Sequence, residues 1–109
     1  MPVKINVRER ATFAADKMAK IALATTARAQ LDLYCLEPGQ SQKPHVHAEQ
    51  DKIYYVVEGR GRFVLGDAEH QLSAGEAIVA AAGAAHGVVN DSAARLLLLV
   101  VVSPPPPHA

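Results

Sequence analysis

Between Leu31 and Val102 the chain is cut by turn residues, roughly every ten positions, into apolar segments too short for ordinary helices, a rhythm that restricts it to an all-β architecture. LDLYCLEPG alternates Leu31, Leu33 and Cys35 against Asp32, Tyr34 and Leu36, then stops at Pro38 and Gly39. KIYYVVEG passes through Glu58-Gly59 almost directly into RGRFVLGD, and the two read as a hairpin. Beyond the Gly66-Asp67 turn come AEHQLSAG, EAIVAAAG, HGVVND and ARLLLLVVV. Strands in such succession, without helical segments between them, favour an antiparallel sandwich or barrel over a parallel sheet.

One segment breaks the alternation. Leu96 to Val102 is apolar on both faces, so each face must be covered: by a second sheet, by the N-terminal segment or by a partner subunit. Upstream, residues 8–30 are alanine-rich and admit two readings. Ala14, Met18 and Ile21 approximate helical spacing, whereas MAKIALATT alternates as a strand over 19–25, and Thr25 and Thr26 suit a strand or turn better than a helix interior. The closing SPPPPHA cannot continue a ladder, because proline donates no backbone hydrogen bond. These signals divide the chain into an N-terminal segment (1–30) packing on or extending the barrel, a barrel (31–103) and an extended, flexible proline-rich tail (104–109).

Composition narrows the function. Eleven basic and eleven acidic residues cancel, which gives no general field for nucleic acid or anionic membrane. The longest apolar run is seven residues, against about twenty for a bilayer-spanning helix, so no membrane span is expected. Cys35 is the only cysteine, which excludes an intrachain disulfide, and the opening MPVKINVRERATF is charged throughout, unlike an export signal; a cytoplasmic protein is expected. No nucleophile elbow, phosphate loop or CxxC pair occurs.

Chemistry concentrates on histidine. His45 and His47 stand two apart beyond a turn, and residues i and i+2 of a strand share a face, so two imidazoles look into one space, as a transition metal requires. Their surroundings resemble the two signature motifs of the small single-domain cupins (RmlC-like, cupin 2 type). The first reads Gly39, QSQKP, His45-Val46-His47, AEQD, Lys52, IYYVVE, Gly59; the second reads Gly75, EAIVA, Ala81-Ala82-Gly83, AA, His86, GVV, Asn90. Together they cover residues 39–90, about half of the chain. The resemblance implies a double-stranded β-helix, the jelly-roll barrel of cupins, preceded here by the N-terminal extension. It also implies that His86 joins His45 and His47 as a third ligand to one divalent transition metal such as iron, nickel, zinc or manganese. Gly39, Gly59, Gly75 and Gly83 become turn residues for which φ is positive, and Asn90 ties a loop through its amide.

Two positions depart from the family pattern. Ala81 replaces a proline, which loosens one turn. Lys52 falls where cupins carry a glutamate ligand, and a protonated lysine has no lone pair for a metal. Gln50 or Asp51 are then the candidates for a fourth ligand, if the loop bulges; otherwise water or substrate completes the shell. Lys52 itself becomes a candidate catalytic base or an anchor for a substrate carboxylate, set against the plainer reading of a solvent-facing lysine. Tyr34, Tyr54 and Tyr55 are candidates for lining the pocket, set against simple packing. His70 and His108 lack partners at ligand spacing, and Cys35 reads as a small hydrophobe.

The resemblance implies a protein that binds a small polar organic molecule beside the metal, transforming it as a dioxygenase, isomerase or lyase does. The alternative is a noncatalytic small-molecule-binding or sensor domain. The apolar final strand predicts a homodimer.

Overall fold

A computed structural model of the protein describes residues 3–106. Among these residues a single helical turn, α1 (Val7–Arg10), precedes nine strands: β1 (Ala19–Thr25), β2 (Gln30–Leu36), β3 (Ser41–Val46), β4 (Asp51–Glu58), β5 (Arg60–Leu65), β6 (Ala68–Ser73), β7 (Ala77–Ala80), β8 (Ala85–Val89) and β9 (Leu96–Ser103). They form two antiparallel sheets, ordered β1-β2-β9-β4-β7 and β3-β8-β5-β6, which face each other across one core.

The double-sided apolar run becomes β9, the middle strand of the five-stranded sheet. Leu96, Leu98, Val100 and Val102 point inward and pack with Tyr34, Leu36, Tyr54, Val56, Phe63, Leu72 and Val88. Leu97 and Leu99 point outward beside Leu33 and Cys35 of the adjacent strand, and the N-terminal residues Ile5, Val7, Ala11 and Phe13 pack against this cluster. Two of the three predicted coverings, the second sheet and the N-terminal segment, are thus in place. Each fully buried leucine contributes roughly 1.5–3 kcal/mol relative to exposure.

The two readings of residues 8–30 resolve in favour of the strand. Helix is confined to α1, with Asn6 Oδ1 accepting from the Glu9 amide at its start. Ala19 to Thr25 pair with β2, and Ala19, Ile21 and Leu23 share a face against the outer cluster. Period-2 burial with a ready partner strand outweighs the helix propensity of alanine.

The predicted hairpin between KIYYVVEG and RGRFVLGD does not form. β4 stays in the five-stranded sheet beside β9 and β7, whereas β5 joins β6 and β8 in the other. A register shift between Val56 and Glu58 bends β4, and Gly59, at φ +84°, turns the chain from one sheet to the other. There the backbone passes so close to the Arg95 carbonyl that any side chain at 59 would collide with it. β5 instead forms a hairpin with the next strand, β6, through Gly66.

Gly39, Gly75 and Gly83 also adopt positive φ, as the family resemblance implies. Asn90 is wholly buried and ties its loop as expected: Nδ2 donates to the Leu36 and Ala94 carbonyls at 3.0 and 2.8 Å, while Oδ1 accepts from the Ser92 amide and hydroxyl. The proline tail is described only to residue 106; His108 lies outside the described residues.

Candidate metal centre

Strands β3 and β8 of the four-stranded sheet bring the three motif histidines together. His45 and His86 are directly opposed in register, and His47 follows one residue after β3 ends. Their ring centroids lie 4.3 Å (His45–His86), 4.7 Å (His45–His47) and 5.5 Å (His47–His86) apart, and one ring nitrogen from each falls within 4.8 Å of the others.

Local backbone geometry produces this convergence. Opposite β8, the two steps from Val88 to His86 are matched by three from Gln42 to His45, so Lys43 and Pro44 form a bulge. The extra residue inverts the strand's parity, so that Gln42 and His45 both face inward. Gly87 lies against the bulge: a Cβ there would stand 2.8 Å from the Gln42 carbonyl oxygen and 2.8 Å from the Pro44 nitrogen. Only glycine lets the bulged strand approach β8 this closely.

The imidazoles are prepared as ligands. His45 Nδ1 lies 2.9 Å from the Lys43 carbonyl and His86 Nδ1 lies 3.0 Å from that of Ala84, so in each ring Nδ1 carries the proton and Nε2 the free lone pair. His86 Nε2 is buried and without a hydrogen-bond partner. A buried acceptor left unpaired costs about 1–3 kcal/mol unless something occupies it, and a metal ion is an occupant that three imidazole nitrogens fit. Desolvation, followed by the charges of neighbouring His45, Lys52 and Lys20, holds the His47 pKa below its ordinary value. Burial also lowers that of His86, against the opposing pull of the Ala84 carbonyl. Both shifts favour the neutral ring, the form that binds metal.

Lys52 projects into the barrel from β4 and is only 2% exposed, so the reading of a solvent-facing lysine does not hold. Its Nζ sits 5.0 and 5.1 Å from the ring centroids of Tyr34 and Tyr54, within cation–π range, and donates one long hydrogen bond of 3.5 Å to Gln42 Oε1. Burial, reinforced by Lys20 and opposed by Asp32, lowers the amine's pKa to about 8. Gln42 links the two sheets: Oε1 accepts from the Tyr54 hydroxyl at 2.8 Å, and Nε2 donates to the Tyr34 hydroxyl at 3.4 Å. Desolvation raises both tyrosine pKa values, that of Tyr34 to about 12, so both hydroxyls keep their protons.

Tyr34 and Tyr54 are both buried in the inner core cluster, and the Tyr54 ring centroid lies 6.2 Å from that of His86. Tyr55 is not; it is 41% exposed on the outer face of β4, because neighbours in a strand point to opposite sides. Asp51 shares that outer face, and its Oδ1 accepts from the Ala82 amide at 2.9 Å, so it is committed away from the histidines. Gln50, half-buried in the loop before β4, makes no hydrogen bond among the described residues and is the remaining candidate of the pair. His70 is exposed on β6, and Cys35 lies buried in the outer apolar cluster with its thiol pKa raised by desolvation.

Three contributors escape a reading of the sequence. Gln42 is hidden by the bulge, and Gly87 by the absence of any sign that β3 presses on it. Asp32 is fully buried, with both carboxylate oxygens 2.9 Å from Gln30 Nε2. Its place on the same strand face as Tyr34 is the available signal.

Two antiparallel sheets closed around a shared core, with three imidazoles turned into one end, define a barrel of the double-stranded β-helix class. The chain belongs to the cupin domain family, whose pattern matches residues 32–102. It is similar to TT1209 of Thermus thermophilus, a solved structure with 46% identity and a TM-score of 0.92 over 97% of this chain and 100% of that one. A conserved protein with a double-stranded β-helix domain from Klebsiella pneumoniae superposes with a TM-score of 0.89 at 22% identity, covering 95% and 91% of the two chains. By sequence the chain is 36% identical over 75 residues to Streptomyces coelicolor SCO3923, spanning 67% of this chain and 69% of that protein.

Proposed function

We propose that the protein is a metal-dependent cupin that holds one divalent transition metal on His45, His47 and His86 and binds a small polar organic molecule beside it within the barrel. The observation that carries this reading is the buried, unpartnered Nε2 of His86, set among three imidazoles whose ligand nitrogens lie within 4.8 Å of one another. Nitrogen donors favour iron, nickel, zinc or manganese over calcium or magnesium, which take oxygen shells. Such a metal supplies Lewis acidity for isomerase or lyase chemistry or, where it is redox-active, oxygen chemistry of the dioxygenase kind. The chain's own part is to fix the His45 and His86 tautomers through Lys43 and Ala84, to favour the neutral form of His47 and His86 by burial, and to line the interior with Tyr34, Tyr54, Gln42 and Lys52.

A noncatalytic binding barrel is the second reading. It is favoured by the lack of a carboxylate converging on the histidines among the described residues. Elemental analysis of untagged protein purified without chelator tests the first: about one metal per chain, lost in His47→Ala, is expected. No metal in the wild type after reconstitution would overturn it.

A further inference from the structure

The barrel interior carries an ammonium group whose capacity to donate is largely unspent. Lys52 Nζ makes only the 3.5 Å hydrogen bond to Gln42, and no ion pair among the described residues engages it. A lysine this deeply buried ordinarily has a charged partner. Asp32 is the nearest candidate, and its charge is felt at Lys52. Its two oxygens, however, are held by Gln30, and it forms no ion pair with the amine. The Tyr34 hydroxyl accepts from Gln42 and donates to no group among the described residues, so a second donor beside Lys52 is also free. Around this pair the charged and titratable groups are Asp32 on β2, Lys20 on β1, Tyr54 on β4 and the neutral His47 and His86.

The charge balance is one-sided. Asp32 offsets Lys52, and Lys20 adds a further positive charge at the rim, 5.8 Å from the Tyr34 ring. With a divalent cation on three neutral histidines the interior becomes strongly positive, because no carboxylate among the described residues joins them at that point.

We propose that Lys52 and the Tyr34 hydroxyl are the recognition point for a carboxylate, so that the barrel selects small organic acids over neutral analogues of the same shape. This rests on the reading above in that the acid lies beside the metal, but the Lys52 contact does not require the metal. Gln42 positions both donors by bridging Lys52 and Tyr54 to Tyr34. The carboxylate accepts two hydrogen bonds, one of them from an ammonium ion in a site sheltered from water, where such bonds are strongest.

The test is calorimetric titration of zinc-loaded and metal-free wild type, Lys52→Met and Tyr34→Phe with malonate, and with its neutral diamide as control. Malonate is expected to bind the wild type saturably and at least tenfold more weakly to Lys52→Met, the scale of one charge-assisted hydrogen bond. Tyr34→Phe is expected to lose severalfold, the diamide to bind negligibly, and zinc stoichiometry to be unchanged in both variants. Because Lys52→Met leaves Asp32 buried without an opposing charge, the double variant Asp32→Asn/Lys52→Met is titrated alongside it, and the same loss is expected there. Equal malonate affinity in wild type and both Lys52 variants overturns the proposal, as does a wild type that binds no malonate. Failure of zinc, iron, nickel and manganese alike to bind overturns the metal reading alone, and the metal-free titrations still decide the role of Lys52.

Discussion

If the candidate metal centre depends on the bulge in β3, then a methyl group added at Gly87, which contacts no metal, should damage it. Gly87→Ala places a Cβ 2.8 Å from the Gln42 carbonyl oxygen and the Pro44 nitrogen, and 3.0 Å from Pro44 Cα. All three are backbone atoms and cannot rotate away. Nonbonded carbon contacts settle near ~3.5 Å, so the bulged strand must withdraw by roughly 0.6 Å or more. Functional constellations tolerate about 0.5 Å before they loosen. His45 moves with the bulge while His86 stays on β8, so the ligand nitrogens spread apart, and zinc affinity is expected to fall by tenfold or more. The overpacking itself should cost about 1–3 kcal/mol, a lowering of the apoprotein melting temperature by about 5–20 °C. Gly39→Ala provides the control: Gly39 has φ +85° but nothing within 4 Å of the added Cβ, so it should lose comparable stability through backbone strain alone. Competition of each protein against a zinc chelator, below both melting temperatures, separates the two effects. Wild-type zinc affinity in Gly87→Ala, or an equal loss in Gly39→Ala, would refute the positioning argument.

Two further outcomes follow from burial and exposure. The Lys52 amine titrates near 8 in the fold against 10.5 when unfolded, so between these values the unfolded chain binds more protons and stability rises with pH. From pH 8 to pH 10 the apoprotein should gain about 2 kcal/mol relative to Lys52→Met, read from urea denaturation of both; parallel pH profiles would show that the amine is not perturbed. On the outer face of the five-stranded sheet, Ile53, Tyr55 and Val79 remain 37%, 41% and 57% exposed, and a homodimer covering them is the proposed assembly. Light scattering at micromolar concentration should give twice the chain mass, reduced to the monomer by Tyr55→Lys/Val79→Lys; a monomeric wild type would exclude it.

What can be read from the residues alone depends on whether a signal is carried by spacing or by the partner strand. The strand rhythm is a spacing signal, whereas the positive-φ glycines and the loop tie of Asn90 come from the family resemblance; the fold has all of them. The pairing of His45 with His47 is likewise carried by spacing and the addition of His86 by the resemblance, and the fold brings all three together. The β4–β5 connection reads wrongly as a hairpin because a glycine-punctuated break looks the same whether the chain doubles back within one sheet or crosses to the other; the difference lies in the register shift against β9. Tyr55 stands among the sequence candidates, and Asp51 beside Lys52 is not excluded as a ligand, because parity alone does not say which face of β4 is inner; only the closure of the barrel shows that it is the face of Lys52, Tyr54 and Val56. Gln42 is unreadable for a sharper reason. Strict alternation from His45 puts Pro44 outward, Lys43 inward and Gln42 outward, and a single inserted residue reverses that result.

That reversal also brings Gln42 to Lys52, at the position where the family resemblance implies a glutamate ligand. The histidines belong to the four-stranded sheet, whereas Lys52, Tyr34, Tyr54 and Asp32 belong to the five-stranded one, and Gln42 is the side chain that reaches from the first to the second. A glutamate at 52 would bind the metal across the barrel and leave no ammonium for a ligand. With lysine, the two sheets carry complementary halves of one site: nitrogen lone pairs for a cation on one side, proton donors for an anion on the other. Exchanging the halves should therefore be separable. Lys52→Glu is expected to tighten zinc binding, because a carboxylate joins the three imidazoles, and at the same time to abolish the binding of malonate, whose charge it now occupies. Tighter zinc binding with malonate affinity intact would mean that the acid is held by the metal alone and that the opposite sheet plays no part in recognising it.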